Sequence, residues 1–195
     1  MTHAPTRRDA ARNRERLLDA ARSVFARLGP DTPLDEIAAA AGVSRTTLHR
    51  HFASREMLAS AVLAQNVAEI EARSAALAGA DDGAEQLFHH LLDAQLEAPW
   101  LARMIAGGTS LGLGELSART AAAIAPLAER ARAAGALRPG VTVDDVLLTL
   151  PMAMAAQAAE AYDGNQHPFT RVRALLHQAL FTTGPEPYLM RPRES

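Results

Sequence analysis

Neither cysteine nor lysine occurs among the 195 residues. The first absence excludes disulfides, thiol nucleophiles and thiolate-held zinc. The second excludes the phosphate-cradling lysine of a P-loop, the lysine of a kinase, Schiff-base chemistry and a serine-lysine nucleophile pair. All 20 basic side chains are therefore arginine. Aromatic residues are scarce, at 4%, and no segment alternates apolar and polar residues as a half-buried strand must. The uncharged run from Val146 to Ala159 has 14 residues, short of the ~20 that cross a bilayer. What is abundant is alanine, with 43 residues, and alanine loses least on entering a helix. The expectation is an all-α protein of about nine helices, with no membrane span and a cytoplasmic location.

The net charge of −2 conceals an asymmetry. Residues 1–56 hold ten arginines against seven acids, a balance of +3, whereas residues 57–195 hold ten against 15, a balance of −5. A basic head on an acidic body suits a phosphate-binding module joined to something else. Within the head, residues 1–13 carry Arg7, Arg8 and Arg12. They read either as an arm that reaches phosphates or a minor groove, or as a solvated terminus. Asp9 and Glu15 interrupt the basic run and no apolar segment follows it, which argues against a transit peptide.

The most informative stretch is TPLDEIAAAAGVSRTTLHRHFASRE, Thr32 to Glu56. Thr32 is placed to cap a helix, with Pro33 at its first position and Asp35 three residues after the cap. Ile37, Ala38 and Ala41 supply one buried face, and Gly42 allows the chain to turn with positive φ. Ser44 can cap a second helix in which Leu48 and Phe52, four residues apart, point inward. Its other face then carries Arg45, Thr46, Thr47, His49, Arg50 and His51, which are hydrogen-bonding groups with little apolar surface. A short helix of this chemistry, braced by the one before it, fits the major groove of DNA.

The flanks extend the pattern. Before the hairpin, ARNRERLLDAARSVFARLG puts Leu17, Ala21, Val24, Phe25 and Leu28 on one face of a helix over about Arg14–Arg27, stopped by Gly29-Pro30. After it, SREML opens a long amphipathic helix at Ser54. Over Arg14 to Leu63 the chain resembles the DNA-binding domain of the TetR family of bacterial regulators. The resemblance implies a three-helix head, residues 1–56 with the helix-turn-helix at about 33–52, on a helical effector-binding and dimerisation domain, residues 57–184. It also implies a homodimer on double-stranded DNA, a palindromic operator, and repression relieved by a small molecule, with no cofactor. Arg45, Thr46, Thr47 and Arg50 are expected to read bases, and Ser44, His49, His51 and Arg55 to hold phosphates. Two positions depart from the family's habit: His49 stands where Tyr is usual, and Arg55 where Lys is common. An imidazole still donates to a phosphate while covering less apolar surface, and a guanidinium keeps the charge but offers a fork. Arg55 also stands at the positive end of its helix, where a phosphate would reconcile the two.

In the body, Leu63, Val67, Ile70, Ser74 and Leu77 mark one face of a connecting helix ending near Gly79. Ala84 to Ala98 carries Leu87, Phe88, Leu91, Leu92 and Leu96. His89 and His90 in that helix diverge by about 100° and are not expected to share a metal. Trp100 to Ala106 reads as a short helix, followed by a glycine-rich stretch in which Gly108 to Gly112 formally matches the G-x-S-x-G nucleophile elbow around Ser110. That motif needs a strand before it and a parallel sheet around it. A small serine hydrolase using Ser110 is the alternative reading, and a helical interaction protein the third. Glu115 to Ala134 contains Pro126, and Thr142 with Asp145 repeats the capping-box spacing ahead of a helix containing Pro151. Val146, Leu150 and Met154 with Val172, Leu176 and Leu180 are expected to pack across a two-fold axis. An apolar effector pocket is expected near Trp100, Met104, Met152 and Met154, with His89 and Gln157 as polar contacts. Residues 185–195 read as a tail.

Overall fold

The computed structural model describes residues 7–96, 98, 100, 112–163 and 168–184, of which 7, 158–163 and 168 by their backbone alone. Eight helices account for most of them: α1 Arg7–Leu28, α2 Leu34–Ala41, α3 Arg45–His51, α4 Arg55–Ala76, α5 Gly83–Leu96, α6 Leu113–Ala133, α7 Val143–Asp163 and α8 Pro168–Leu180. Among the described residues, extended pairing is confined to one isolated antiparallel bridge between Leu137 and Phe181. The short helix expected over Trp100–Ala106 lies outside the described residues apart from Trp100, as do Met104 and Ser110. The chain divides into two compact units, residues 1–66 with 100–116, and residues 67–99 with 117–195.

The first unit is built on the buried face of α1, where Leu17, Leu18, Ala21, Val24 and Phe25 recur at helical spacing. Each large apolar side chain removed from water here contributes about 1.5–3 kcal/mol. α1 starts at Arg7, earlier than expected, because Ala10 and Ala11 favour helix and Asp9 in the first turn suits the positive end of the dipole. Part of the expected arm is therefore helix. Leu28, expected on the buried face, is exposed, since Gly29 at φ 92° turns the chain before a neighbour covers it. Trp100 completes this core, its ring 5.2 Å from that of Phe25 and tilted by 44°.

The start of α2 differs from the expected capping box. Pro33 takes the cap position itself and makes no side-chain cap bond. Thr32 is buried, and its hydroxyl donates backward to the Gly29 carbonyl at 2.8 Å. Asp35, the other half of the expected box, turns instead to Arg45. At the far end Gly42 adopts φ 63°, with the Gly42 N–H donating to Ala39 O and the Val43 N–H to Ala38 O. This paired bonding closes the helix as a Schellman motif. It leaves two residues before α3 begins behind its cap, Ser44.

The second unit has its own core. Leu87, Phe88, Leu91 and Leu92 of α5 meet Ile124, Leu127, Ala128 and Ala131 of α6, Val146 and Ala153 of α7, and Phe169, Leu176 and Leu180 of α8. α7 opens with the expected capping box: the Thr142 N–H donates to Asp145 at 2.8 Å and the Asp145 N–H to the Thr142 hydroxyl at 3.2 Å. The two hydrogen bonds from Thr142 hold the Asp145 carboxyl below the usual range. No helix of the described residues is long and apolar enough to cross a membrane.

Candidate nucleic-acid interface

The short helix α3 is fixed from both sides of its sequence. Ser44 Oγ accepts the Thr47 N–H at 3.1 Å and lies 2.9 Å from the Thr47 hydroxyl, so the cap forms as expected and engages both side chains. Leu48 and Phe52 are buried, and the Arg14 guanidinium sits 5.5 Å above the Phe52 ring. With one face committed to the core, Ser44, Arg45, Thr46, His49 and Arg50 are left exposed, whereas Thr47 and His51 are half-buried. The exposed residues of α3 and its cap are thus all polar. Arg45 Nη1 donates to Asp35 Oδ2 at 2.9 Å. Asp35 was not foreseen as part of this surface.

Arg55, at the start of α4, stands behind the cap that Ser54 provides by accepting the Met57 N–H at 3.2 Å. The Ser54 hydroxyl and the adjoining backbone also hold the Glu56 carboxyl below its usual range. Arg55 Nη1 is 3.7 Å from Asp31, which is too long for a strong bond, and its Nε is buried without a hydrogen-bond partner. A cation held loosely at a helix N-terminus retains the capacity to take a phosphate.

Of the residues expected to line an effector pocket, Trp100 is buried in the first unit against Phe25, and Met152 is 56% exposed on α7. The second unit carries a cleft of about 410 Å³ bounded by Ser74, Ala75 and Ala78 of α4 and Arg119, Ala122 and Pro126 of α6. At its edge Arg119 grips Glu71 with two bonds, 2.9 and 2.7 Å, which hold the Glu71 carboxyl below the usual range. Of the expected contact face, Val146, Leu176 and Leu180 are buried in the core of the single chain, Leu150 and Val172 pack against that core half-buried, and Met154 is half-buried. The apolar residues left outside are Leu148 at 60% and Met152 on α7, with Leu175 at 55% on α8. Pro151 and Ala155 lie beside them on α7, giving an exposed stripe at 148, 151, 152 and 155.

His89 joins a partly buried polar row. Its Nδ1 accepts the Arg173 Nε–H at 3.1 Å, its Nε2 lies 3.1 Å from His177 Nδ1, and His177 Nε2 lies 3.2 Å from the Thr183 carbonyl. Arg173 is paired in turn with Asp93, which stands one helical turn after His89. Among the described residues no three such groups are placed to hold a metal. Burial, then the Arg173 and His177 charges, push His89 down to about 4 from its ordinary 6.5, against the opposing pull of Asp93. A base whose folded pKa is depressed takes up protons more readily unfolded. Its contribution is therefore complete above pH 6.5 and is lost as pH falls from 6.5 through about 4. Thermal melts from pH 7.5 to 4 should show that decline, and His89→Gln, which keeps two polar ends without titrating, should flatten it. An equal decline in the variant would assign it to other groups.

The all-helical fold and the braced polar helix define a helix-turn-helix DNA-binding regulator. Residues 17–62 match the family model described as bacterial regulatory proteins, tetR family. Among solved structures, a TetR transcription regulatory protein from Mycobacterium vanbaalenii is 29% identical with a TM-score of 0.63, over 83% of this chain and 99% of that one. A TetR transcriptional regulator from Streptomyces coelicolor is 25% identical with the same TM-score of 0.63, over 87% and 99%. The reduced form of E. coli NemR shares the fold at 16% identity, with a TM-score of 0.67 over 88% and 99%. No curated protein matches the chain. Residues 17–62 are thus the DNA-binding domain of the tetR family of bacterial regulatory proteins, and the chain shares the fold of TetR transcriptional regulators.

Proposed function

We propose that the protein acts in the cytoplasm as a homodimeric repressor that binds a palindromic operator and is released by a small molecule, with no catalytic role. The observation that carries this reading is the exposed polar face of α3, Arg45, Thr46, His49 and Arg50, over buried Leu48 and Phe52. One helix of seven residues reads too few base pairs to be selective, so two copies set about one turn of DNA apart are needed. The exposed apolar stripe of α7 with Leu175 of α8 supports the pairing, because two copies can bury it against itself. The cleft bounded by α4 and α6 supports the effector, which must prefer one conformation to shift DNA binding.

Selection of bound sequences from a random DNA pool tests the reading, and a two-fold-symmetric sequence is the expected product. On it, Arg50→Ala should cost about 1–3 kcal/mol and relax preference at one position of each half-site. Arg55→Ala should weaken all sequences alike and lower the salt slope by about one. A pool that returns no symmetric sequence would refute the proposal.

A further inference from the structure

We propose that Asp35 sets the stringency with which this surface reads its base, by holding Arg45 in one orientation; the inference rests on the DNA-binding reading above. Asp35 lies in the first turn of α2, and Arg45 is the first residue of α3. Their side chains meet at 2.9 Å across ten residues of sequence. A carboxylate in a helix's first turn is favoured by the dipole, but Glu36 beside it already serves that purpose. An exposed ion pair adds little to stability. What it does change is the freedom of a long side chain.

The contact uses one nitrogen, Nη1, and leaves the opposite edge, Nε with Nη2, without a partner among the described residues. That edge presents two parallel donors, the fork that matches O6 and N7 of guanine. An arginine free to swing would satisfy itself on any nearby phosphate, which carries no sequence information. Asp35 opposes this in two ways, by holding the guanidinium and by placing a negative charge where a phosphate would otherwise approach. Asp35 is thus a positioning residue that favours selectivity over raw affinity.

The test compares the full-length protein with Arg45→Ala, Asp35→Ala, Asp35→Asn and Asp35→Glu, using sequence selection and titration of the selected and a random duplex at fixed salt. Arg45→Ala identifies the base position that Arg45 reads. At that position Asp35→Ala and Asp35→Asn should lower the preference for guanine roughly five- to tenfold. Their affinity for random DNA should be unchanged or a few-fold tighter, and Asp35→Glu should restore part of the preference. Melting temperature should stay at the wild-type value, and Asp35→Asn carries the test if Asp35→Ala fails to fold. Preference unchanged at the Arg45 position, equal weakening on every sequence, or no position that depends on Arg45 would each overturn the inference. Failure of the wild type to select any sequence would instead overturn the DNA-binding reading beneath it.

Discussion

Leu148→Glu and Leu175→Glu should each produce a folded monomer that no longer holds its operator. Both leucines are more than half exposed in the single chain, at 60% and 55%, so a carboxylate there meets water and leaves the fold intact. In a two-fold dimer each substitution appears twice, and burying unpaired carboxylates at the contact is costly. Sedimentation should give the monomer mass at concentrations where the wild type is dimeric, with an unchanged melting curve. Operator affinity should fall by about 10² or more, because each head then binds alone. Leu176→Glu is the informative contrast. Leu176 is 7% exposed within the core, so a carboxylate there should unfold the second unit. Persistence of the dimer in both surface variants would show that the contact lies on another face.

Phe25→Ala should cost about 3–5 kcal/mol, the loss expected when a buried aromatic leaves a cavity that its neighbours fill only in part. Phe25 has no exposed surface, and its ring leans on that of Trp100 5.2 Å away, a pairing that adds about 0.5–1.5 kcal/mol beyond burial. The chain has one tryptophan, so denaturant titration followed by its fluorescence reports on this contact directly. A wild-type transition with the variant's midpoint displaced to lower denaturant is expected, together with loss of DNA binding at temperatures where the wild type still binds. A loss below about 1 kcal/mol would mean that the site collapses around the smaller side chain.

The head was readable because its signals are local. Leu48 and Phe52 four residues apart, Gly42 at the turn and Ser44 at the cap each act within a few residues, and all four do what spacing predicts. The ion pair of Asp35 with Arg45 was not readable, since ten residues separate the partners and only the angle of the hairpin brings them together. The body resisted for another reason. α7 is uncharged from Val146 to Ala159, so apolar residues surround the helix and periodicity cannot say which stripe faces the chain's own core. Of the stripe expected from sequence, Val146 is buried and Leu150 half-buried, whereas the positions at 148, 151, 152 and 155 are exposed. Trp100 illustrates a third limit. Aromatic residues near methionines suggest a pocket, yet the ring is claimed by Phe25, 75 positions earlier in the sequence.

The polar row through His89 and His177 has a direction, and one residue imposes it. The Arg173 guanidinium offers only N–H donors and no acceptor, so His89 Nδ1 can only accept from it. The single ring hydrogen of neutral His89 must then sit on Nε2 and point to His177 Nδ1. With both rings neutral, the same reasoning places the hydrogen of His177 on Nε2, where the Thr183 carbonyl receives it. Two imidazoles that would interconvert freely between tautomers in water are each confined to one, and the choice is transmitted from ring to ring. Reversing the row would require a guanidinium to become an acceptor.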